Sequence, residues 1–209
     1  MVKLCIDKYP INSEYECYFQ EYKFPLSDFQ KYAIEAIVKE QHVLVTAHTG
    51  SGKTLPAEFA INHLVKQNKK VIYTSPIKAL SNQKYSEFRR KYPHISFGLM
   101  TGDIKINPDA DVLIMTTEIL MNSLFIQGSE NVSDLEFNIN INNELACVVF
   151  DEVHYINDQD RGQTWEKTIL MLPKHIQMVM LSATIDSPER FAKWAEKEDS
   201  GKEEYLAST

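Results

Sequence analysis

Hydrophobic positions along this chain follow two patterns that alternate. Six short runs, "HVLVTA", "KVIYTSP", "SFGLM", "DVLIMTT", "LACVVF" and "QMVMLSA", carry Val, Ile and Leu on both parities. A strand wet on one face alternates apolar with polar residues, and a strand covered on both faces need not, so these runs predict buried strands. Between them, "KTLPAEFAINHLVKQ", "KALSNQKYSEFRRKY" and "WEKTILML" keep a helical period. "SPERFAKWAEK" predicts a last helix, with Ser187 as N-cap and Pro188 in the first turn. The alternation predicts an α/β fold with a mainly parallel sheet, right-handed crossovers and helices on both faces.

Two segments break this rhythm. Residues 1–23 are aromatic and mixed, which suits a strand or two added at the sheet edge. Residues 126–144 are polar, yet Leu135, Phe137, Ile139 and Ile141 alternate strictly, so a hairpin or extra strand and a loose insertion both stay open.

Composition narrows the class. A chain of 209 residues has room for one large domain, with roughly 70% of its unfolded surface buried. Apolar residues make up 44% and charged ones 24%, a globular balance. No apolar run is long enough to span a bilayer, the N-terminus lacks a signal pattern, and "YLAST" carries no lipidation motif, so no membrane association is expected. Cys5, Cys17 and Cys147 make no C-x-x-C pair. They support neither a disulfide framework nor a zinc site and suit a reducing, intracellular compartment, cytoplasmic or nuclear. The net charge of −7 argues against a broadly basic nucleic-acid surface, though not against contacts through backbone N–H groups and hydroxyls.

"VLVTAHTGSGKTLPAEFAI" places Thr49, Gly50, Ser51, Gly52, Lys53 and Thr54 between a strand and a helix. Small residues in such a turn let successive N–H groups face phosphate oxygens, and the helix N-terminus adds its dipole. Lys53 would reach the terminal phosphates and the Thr54 hydroxyl would hold Mg²⁺. Ala47 stands where the strict phosphate-loop pattern begins with Gly. His48, in the same loop, is given packing or capping and no chemistry.

Downstream, "VVFDEVHYIND" runs three apolar residues into two adjacent carboxylates. Neighbouring residues on a strand point to opposite faces, so Asp151 and Glu152 are two tools aimed at different atoms. Asp151, at the carboxyl end of its strand, suits magnesium. Glu152 suits orienting and deprotonating the water that attacks the γ-phosphate, and it completes the candidate metal set with Thr54 and Asp151. His154 either relays between the nucleotide and "SAT" or closes the turn.

"AHTGSGKT", "DEVH" and "SAT", in that order, resemble motifs I, II and III of superfamily 2 helicases. "SPIKALSNQKYSEF", "TGDIKINPDADVLIMTTEIL", "DEVHYINDQDRGQTWE" and "FAKWAEK" more closely resemble the DEVH-box RNA helicases of the superkiller and exosome-cofactor group, from about Phe24 to Lys197. The resemblance implies a RecA-like three-layer first motor domain over 24–200, an edge extension over 1–23, an insertion at 126–144 and a C-terminal tail over 201–209. It implies ATP and Mg²⁺ as cofactors, with Phe24 stacking on adenine and Gln30 reading its edge. Residue chemistry alone leaves Phe24 and Phe29 as core and Gln30 as surface. Ser75, Pro76, Lys78, Thr101, Gly102, Thr116 and Thr117 would line a track for single-stranded RNA, with DNA the alternative. Ser182, Ala183 and Thr184, with His154, would couple nucleotide state to that track. Arg161 and Glu166 are expected to form an ion pair or pack at the core edge. The partners implied are a second RecA-like domain of the same protein, whose arginines meet the γ-phosphate, and an RNA-decay or RNA-processing complex. Because the chain ends soon after "SAT", it is expected to bind Mg·ADP or Mg·ATP, hydrolyse poorly and unwind nothing by itself. A DNA-directed translocase and an ATP-gated scaffold without unwinding are the competing readings.

Overall fold

The computed structural model describes residues 2–127, 143–196 and 202–208. Nine strands form a single sheet: β1 (Val2–Cys5), β2 (His42–Thr46), β3 (Lys70–Ser75), β4 (Phe97–Thr101), β5 (Ile104–Ile106), β6 (Val112–Thr116), β7 (Leu145–Phe150), β8 (Gln177–Ser182) and β9 (Glu204–Ser208). Their order is β1-β9-β2-β8-β7-β3-β6-β4-β5, and every pairing is parallel except β4 with β5. The helices are α1 (Glu16–Phe19), α2 (Asp28–Val38), α3 (Leu55–Val65), α4 (Lys78–Lys91), α5 (Thr117–Gln127), α6 (Gly162–Met171) and α7 (Pro188–Ala195).

The apolar residues on both strand parities divide between two cores. Val43, Val45, Val71, Tyr73, Val149, Val179 and Leu181 pack on one face with α2, α3 and α4. Leu44, Ile72, Val148, Phe150, Met178 and Met180 pack on the other with α5, α6 and α7. This is the three-layer α/β architecture that the period predicts. No helix among the described residues is long and apolar enough to cross a membrane.

One expectation needs correction, and two hold with additions. The segment 201–209 is no tail: Glu204–Ser208 enters the sheet between β1 and β2, registering Leu206 with both Leu4 and Leu44. The segment 1–23 does more than extend an edge. Beyond edge strand β1, Tyr9 and Phe19 enter the first core, with Tyr9 edge-on to Phe19 and to Tyr32. Glu35 of α2 fixes this segment, accepting from Lys3 (3.1 Å), Lys39 (2.9 Å), Tyr9 (2.9 Å) and Tyr205 (3.3 Å). Ser187 occupies the N-cap position of α7, but in the left-handed region (φ 53°) and without a side-chain capping bond. The alternating residues Leu135 to Ile141 lie outside the described residues.

Register aligns the carboxyl ends of the central strands. Thr46 pairs with Ser182 and Ser208, Ser75 with Thr116, and Phe150 with Met180, so the loops that follow these strands open on one edge of the sheet. Ligands bind at that edge in open parallel sheets.

Candidate nucleotide site and adjoining groove

The turn after β2 has the backbone that a phosphate cradle needs. Gly50 and Gly52 adopt φ of +86° and +83°, a region costly for any residue with a Cβ. A Cβ on Gly52 would stand 2.7 Å from Gln30 Nε2, whereas one on Gly50 would meet nothing within 4 Å. The His48 carbonyl accepts from both the N–H (3.2 Å) and the hydroxyl (2.7 Å) of Ser51, which closes the turn and gives His48 a backbone role. Thr49 and Gly50 are exposed at the loop tip, and Thr54 stands at the N-cap position of α3 without a side-chain capping bond.

Lys53 and Glu152 stand 99 positions apart and meet at 3.0 Å, Nζ to Oε2. Strand order explains the meeting, because β2 and β7 both flank β8 and their following loops are neighbours. Glu152 is held in the left-handed conformation (φ 55°, ψ 47°), and its carboxylate lies 3.4 Å from His154 Nδ1. A non-glycine residue in that region carries local strain, which clusters at functional sites. Asp151 is buried just beyond β7. Its Oδ1 accepts from the Glu152 N–H at 3.0 Å and its Oδ2 from the Tyr73 hydroxyl at 2.5 Å. Burial raises the Asp151 pKa above the ordinary carboxylate value, with Glu152 adding to the rise and Tyr73, Lys84 and Lys53 opposing it.

Thr54, Asp151 and Glu152 offer oxygen donors only. Asp151 accepts one hydrogen bond at each oxygen and so keeps lone pairs free. That donor set fits a magnesium ion held through one or two protein oxygens, nucleotide phosphates and waters.

At the adenine end the expectation divides. Phe24 is 53% exposed, with a free face beside Tyr22 (centroids 5.7 Å apart), and Phe29 is core. Gln30 is buried rather than on the surface. Its Oε1 accepts from the Ser27 N–H (2.9 Å) at the start of α2, and its Nε2 donates to the Gly52 carbonyl (3.1 Å). The residue expected to read the base therefore also grips the phosphate loop.

Ser182 ends β8, and its carbonyl accepts from the Ala47 N–H at 3.1 Å, so "SAT" touches the strand that feeds the loop. The Ser182 hydroxyl donates to the Thr184 carbonyl (3.1 Å), Ala183 is half-buried and Thr184 exposed. His154 meets Glu152 and Tyr155, and among the described residues no hydrogen bond joins it to 182–184.

Beside this site lies a groove of about 450 Å³. Pro76, Lys78, Gly102 and Thr116, among the residues expected of a nucleic-acid track, line it. Ser75, Thr101 and Thr117 do not offer free hydroxyls there. Ser75 and Thr117 are fully buried, Ser75 bonding Ser81 (2.6 Å) and Thr117 facing the Ser75 carbonyl (3.5 Å). Thr101 donates to Asp103 at 3.0 Å. Ser75 faces α4, Thr117 opens α5 and Thr101 turns to the β4–β5 connection, and a buried hydroxyl must take a protein partner. Asp103 also pairs with Lys78 at 2.7 Å.

One role and one residue of this region escape sequence reasoning. Arg161 lines the groove and donates to the Pro76 carbonyl at 3.1 Å, in place of the expected ion pair or core-edge packing, while Glu166 is exposed on α6. Tyr73 holds Asp151. The available signal for Tyr73 is a phenol that follows Val71 and Ile72 in a buried strand, where a hydroxyl requires a partner.

The DEAD/DEAH box helicase family model matches residues 27–191. The antiviral helicase SKI2 of Saccharomyces cerevisiae is 47% identical over 84% of this chain and 13% of its own length. The exosome RNA helicase MTR4 of Homo sapiens is 48% identical over 84% of this chain and 16% of its own. An Arabidopsis thaliana DExH-box ATP-dependent RNA helicase, DExH9, is 46% identical over 85% and 17%. The chain thus spans less than a fifth of the length of these relatives. Among solved structures, the helicase MrfA bound to DNA and AMPPNP superposes with a TM-score of 0.71 at 19% identity, covering 97% of this chain and 30% of that one, a likeness of fold alone.

Proposed function

The chain belongs to the DEAD/DEAH box helicase family, and from that premise we propose that it is the ATP-binding motor domain of an ATP-dependent RNA helicase. The observation that carries the reading is the Lys53–Glu152 pair at the mouth of the Gly50–Gly52 cradle, on the same sheet edge as the groove.

Nucleotide entry moves Lys53 from Glu152 to the β- and γ-phosphates. The N–H groups of Gly50, Gly52, Lys53 and Thr54 would face the same oxygens, while that of Ser51 stays on the His48 carbonyl. Glu152, released, orients a water against the γ-phosphorus and accepts its proton as the bond from that phosphorus to the β–γ bridging oxygen breaks, giving ADP and inorganic phosphate. Asp151 and Thr54 are the residues that would hold magnesium, which supplies charge neutralisation across the transferring group when bound. Phe24 stacks on the base, while Gln30 links the base end of the site to Gly52. RNA lies along Pro76, Lys78, Gly102 and Thr116, where Arg161 braces the Pro76 carbonyl. A second RecA-like domain closes the cleft with arginine, and an RNA-decay or RNA-processing complex is the setting in which the motor works.

The test is ATP turnover by the longest natural polypeptide containing this chain, without nucleic acid and with single-stranded RNA or DNA, with Glu152→Gln as control. Stimulation by RNA and not DNA is expected. Stimulation by DNA would move the protein to a DNA-directed translocase. Bound nucleotide without stimulation by either would leave an ATP-gated scaffold.

A further inference from the structure

Tyr73 lies in the middle of β3, fully buried and far from solvent. Its ring packs edge-on to Phe88 of α4, centroids 5.3 Å apart, and a phenylalanine would fill that space equally well. The hydroxyl is therefore the part that packing leaves unexplained. It donates to Asp151 Oδ2, while the opposite oxygen, Oδ1, is held by the N–H of Glu152. Two donors from different elements, β3 and the turn after β7, thus grip one carboxylate from both ends. A hydrogen bond to a charged acceptor is about twice as strong as a neutral one, and here it fixes the rotation of the carboxylate plane.

We propose that Tyr73 is a positioning residue that pre-orients the Asp151 carboxylate for magnesium without touching metal or nucleotide. The proposal rests on the reading that Asp151 serves a Mg·nucleotide complex. A carboxylate already locked loses little rotational freedom when it takes up the ion. Partners of this kind, standing behind a metal ligand, typically change metal affinity by about 10- to 100-fold. Because the Glu152 N–H remains when the phenol is lost, the lower end of that range is expected.

The experiment titrates a fluorescent ATP analogue into the full chain at a series of free Mg²⁺ concentrations and in EDTA, for wild type, Tyr73→Phe, Phe88→Leu and Asp151→Asn. Thermal unfolding of each confirms a folded domain. Tyr73→Phe is expected to raise the Mg²⁺ midpoint about tenfold while leaving affinity in EDTA within about twofold. Phe88→Leu, which loosens the same packing but keeps the hydroxyl, should leave the midpoint in place. An unchanged midpoint in Tyr73→Phe, with the magnesium effect lost in Asp151→Asn, would overturn the proposal and spare the underlying reading. An equal loss in EDTA and in Mg²⁺ would reduce Tyr73 to a structural role and likewise overturn it. Should Asp151→Asn keep the wild-type midpoint, the magnesium reading itself fails, and the proposal with it.

Discussion

Replacing Glu152 by glutamine should tighten nucleotide binding in the absence of magnesium, although it removes the residue assigned to the chemistry. In the structure Glu152 competes with phosphate for Lys53, at 3.0 Å, with side chains 26% and 10% exposed. A hydrogen bond between charged partners contributes about 1.5–3 kcal/mol, and partial exposure of Glu152 places this one at the low end. Glutamine keeps a hydrogen bond to the Lys53 ammonium but loses the ion pairing, so the net release is about 0.5–1 kcal/mol, or about two- to fivefold in affinity. The assay is an equilibrium titration with a fluorescent ATP analogue in EDTA, where no metal bridges nucleotide and carboxylate. In magnesium, the same variant should lose turnover by about 10²–10⁴-fold and retain unhydrolysed ATP. Equal or weaker binding of nucleotide by Glu152→Gln in EDTA would refute the idea that Lys53 is held in reserve by this carboxylate.

Three further outcomes follow from local geometry. Gly52→Ala should weaken nucleotide binding at least tenfold, about 1.4 kcal/mol, because its Cβ would displace Gln30, while Gly50→Ala, strained but unobstructed, should cost less; paired titrations decide. Glu35→Ala should destabilise the domain by about 3 kcal/mol in denaturant melts, since it strands Tyr9 and two lysines. Burial pushes the Glu35 carboxyl up, but bonds from Lys39, Lys3 and Tyr9 prevail and hold it below 4.5. The stability it supplies is therefore present above pH 4.5 and lost as pH falls through the folded value, so wild type and variant should converge in acid. Glu204 shows the opposite sign: fully buried, with neither oxygen hydrogen-bonded among the described residues, it is raised well above 4.5 by burial. Stability tied to its protonation is present below pH 4.5 and lost as pH rises, so Glu204→Gln should match wild type in acid and melt higher at neutral pH.

The same residues show where sequence is legible. Six strands could be read because burial on both faces leaves a local mark, and the phosphate loop because glycine at positive φ is a local requirement. β9 could not, since "EYLAS" begins with a buried carboxylate that contradicts a core strand and its partners lie some 160 or more positions away. The helix α2 carries a readable stripe, Phe29, Tyr32, Ala33, Ala36 and Ile37, which a ligand-centred reading of "FPLSDFQ" passes over. Hydroxyls at strand ends were misread for a different reason. Ser75 lies on the same parity as Tyr73 and turns toward Ser81 of α4, whereas Pro76 and Lys78, just beyond, reach the groove. Whether a residue faces core or cleft there depends on which helix crosses above it, and one sequence does not state that.

Pairings are the least legible layer, and the site depends on them. Lys53 finds Glu152, Tyr73 finds Asp151 and Arg161 finds Pro76 only because β3 lies beside β7, and β7 beside β8, which in turn flanks β2. One strand, β3, thereby carries the phenol that holds the candidate magnesium carboxylate and leads, one residue past its end, into the Pro76 backbone that Arg161 braces at the groove. A shift of β3 relative to β7 would disturb both at once, whereas a change at Gly50 or Phe24 would disturb nucleotide contacts alone. The physical link between the two candidate sites is therefore this strand, and Tyr73 is where it meets the chemistry.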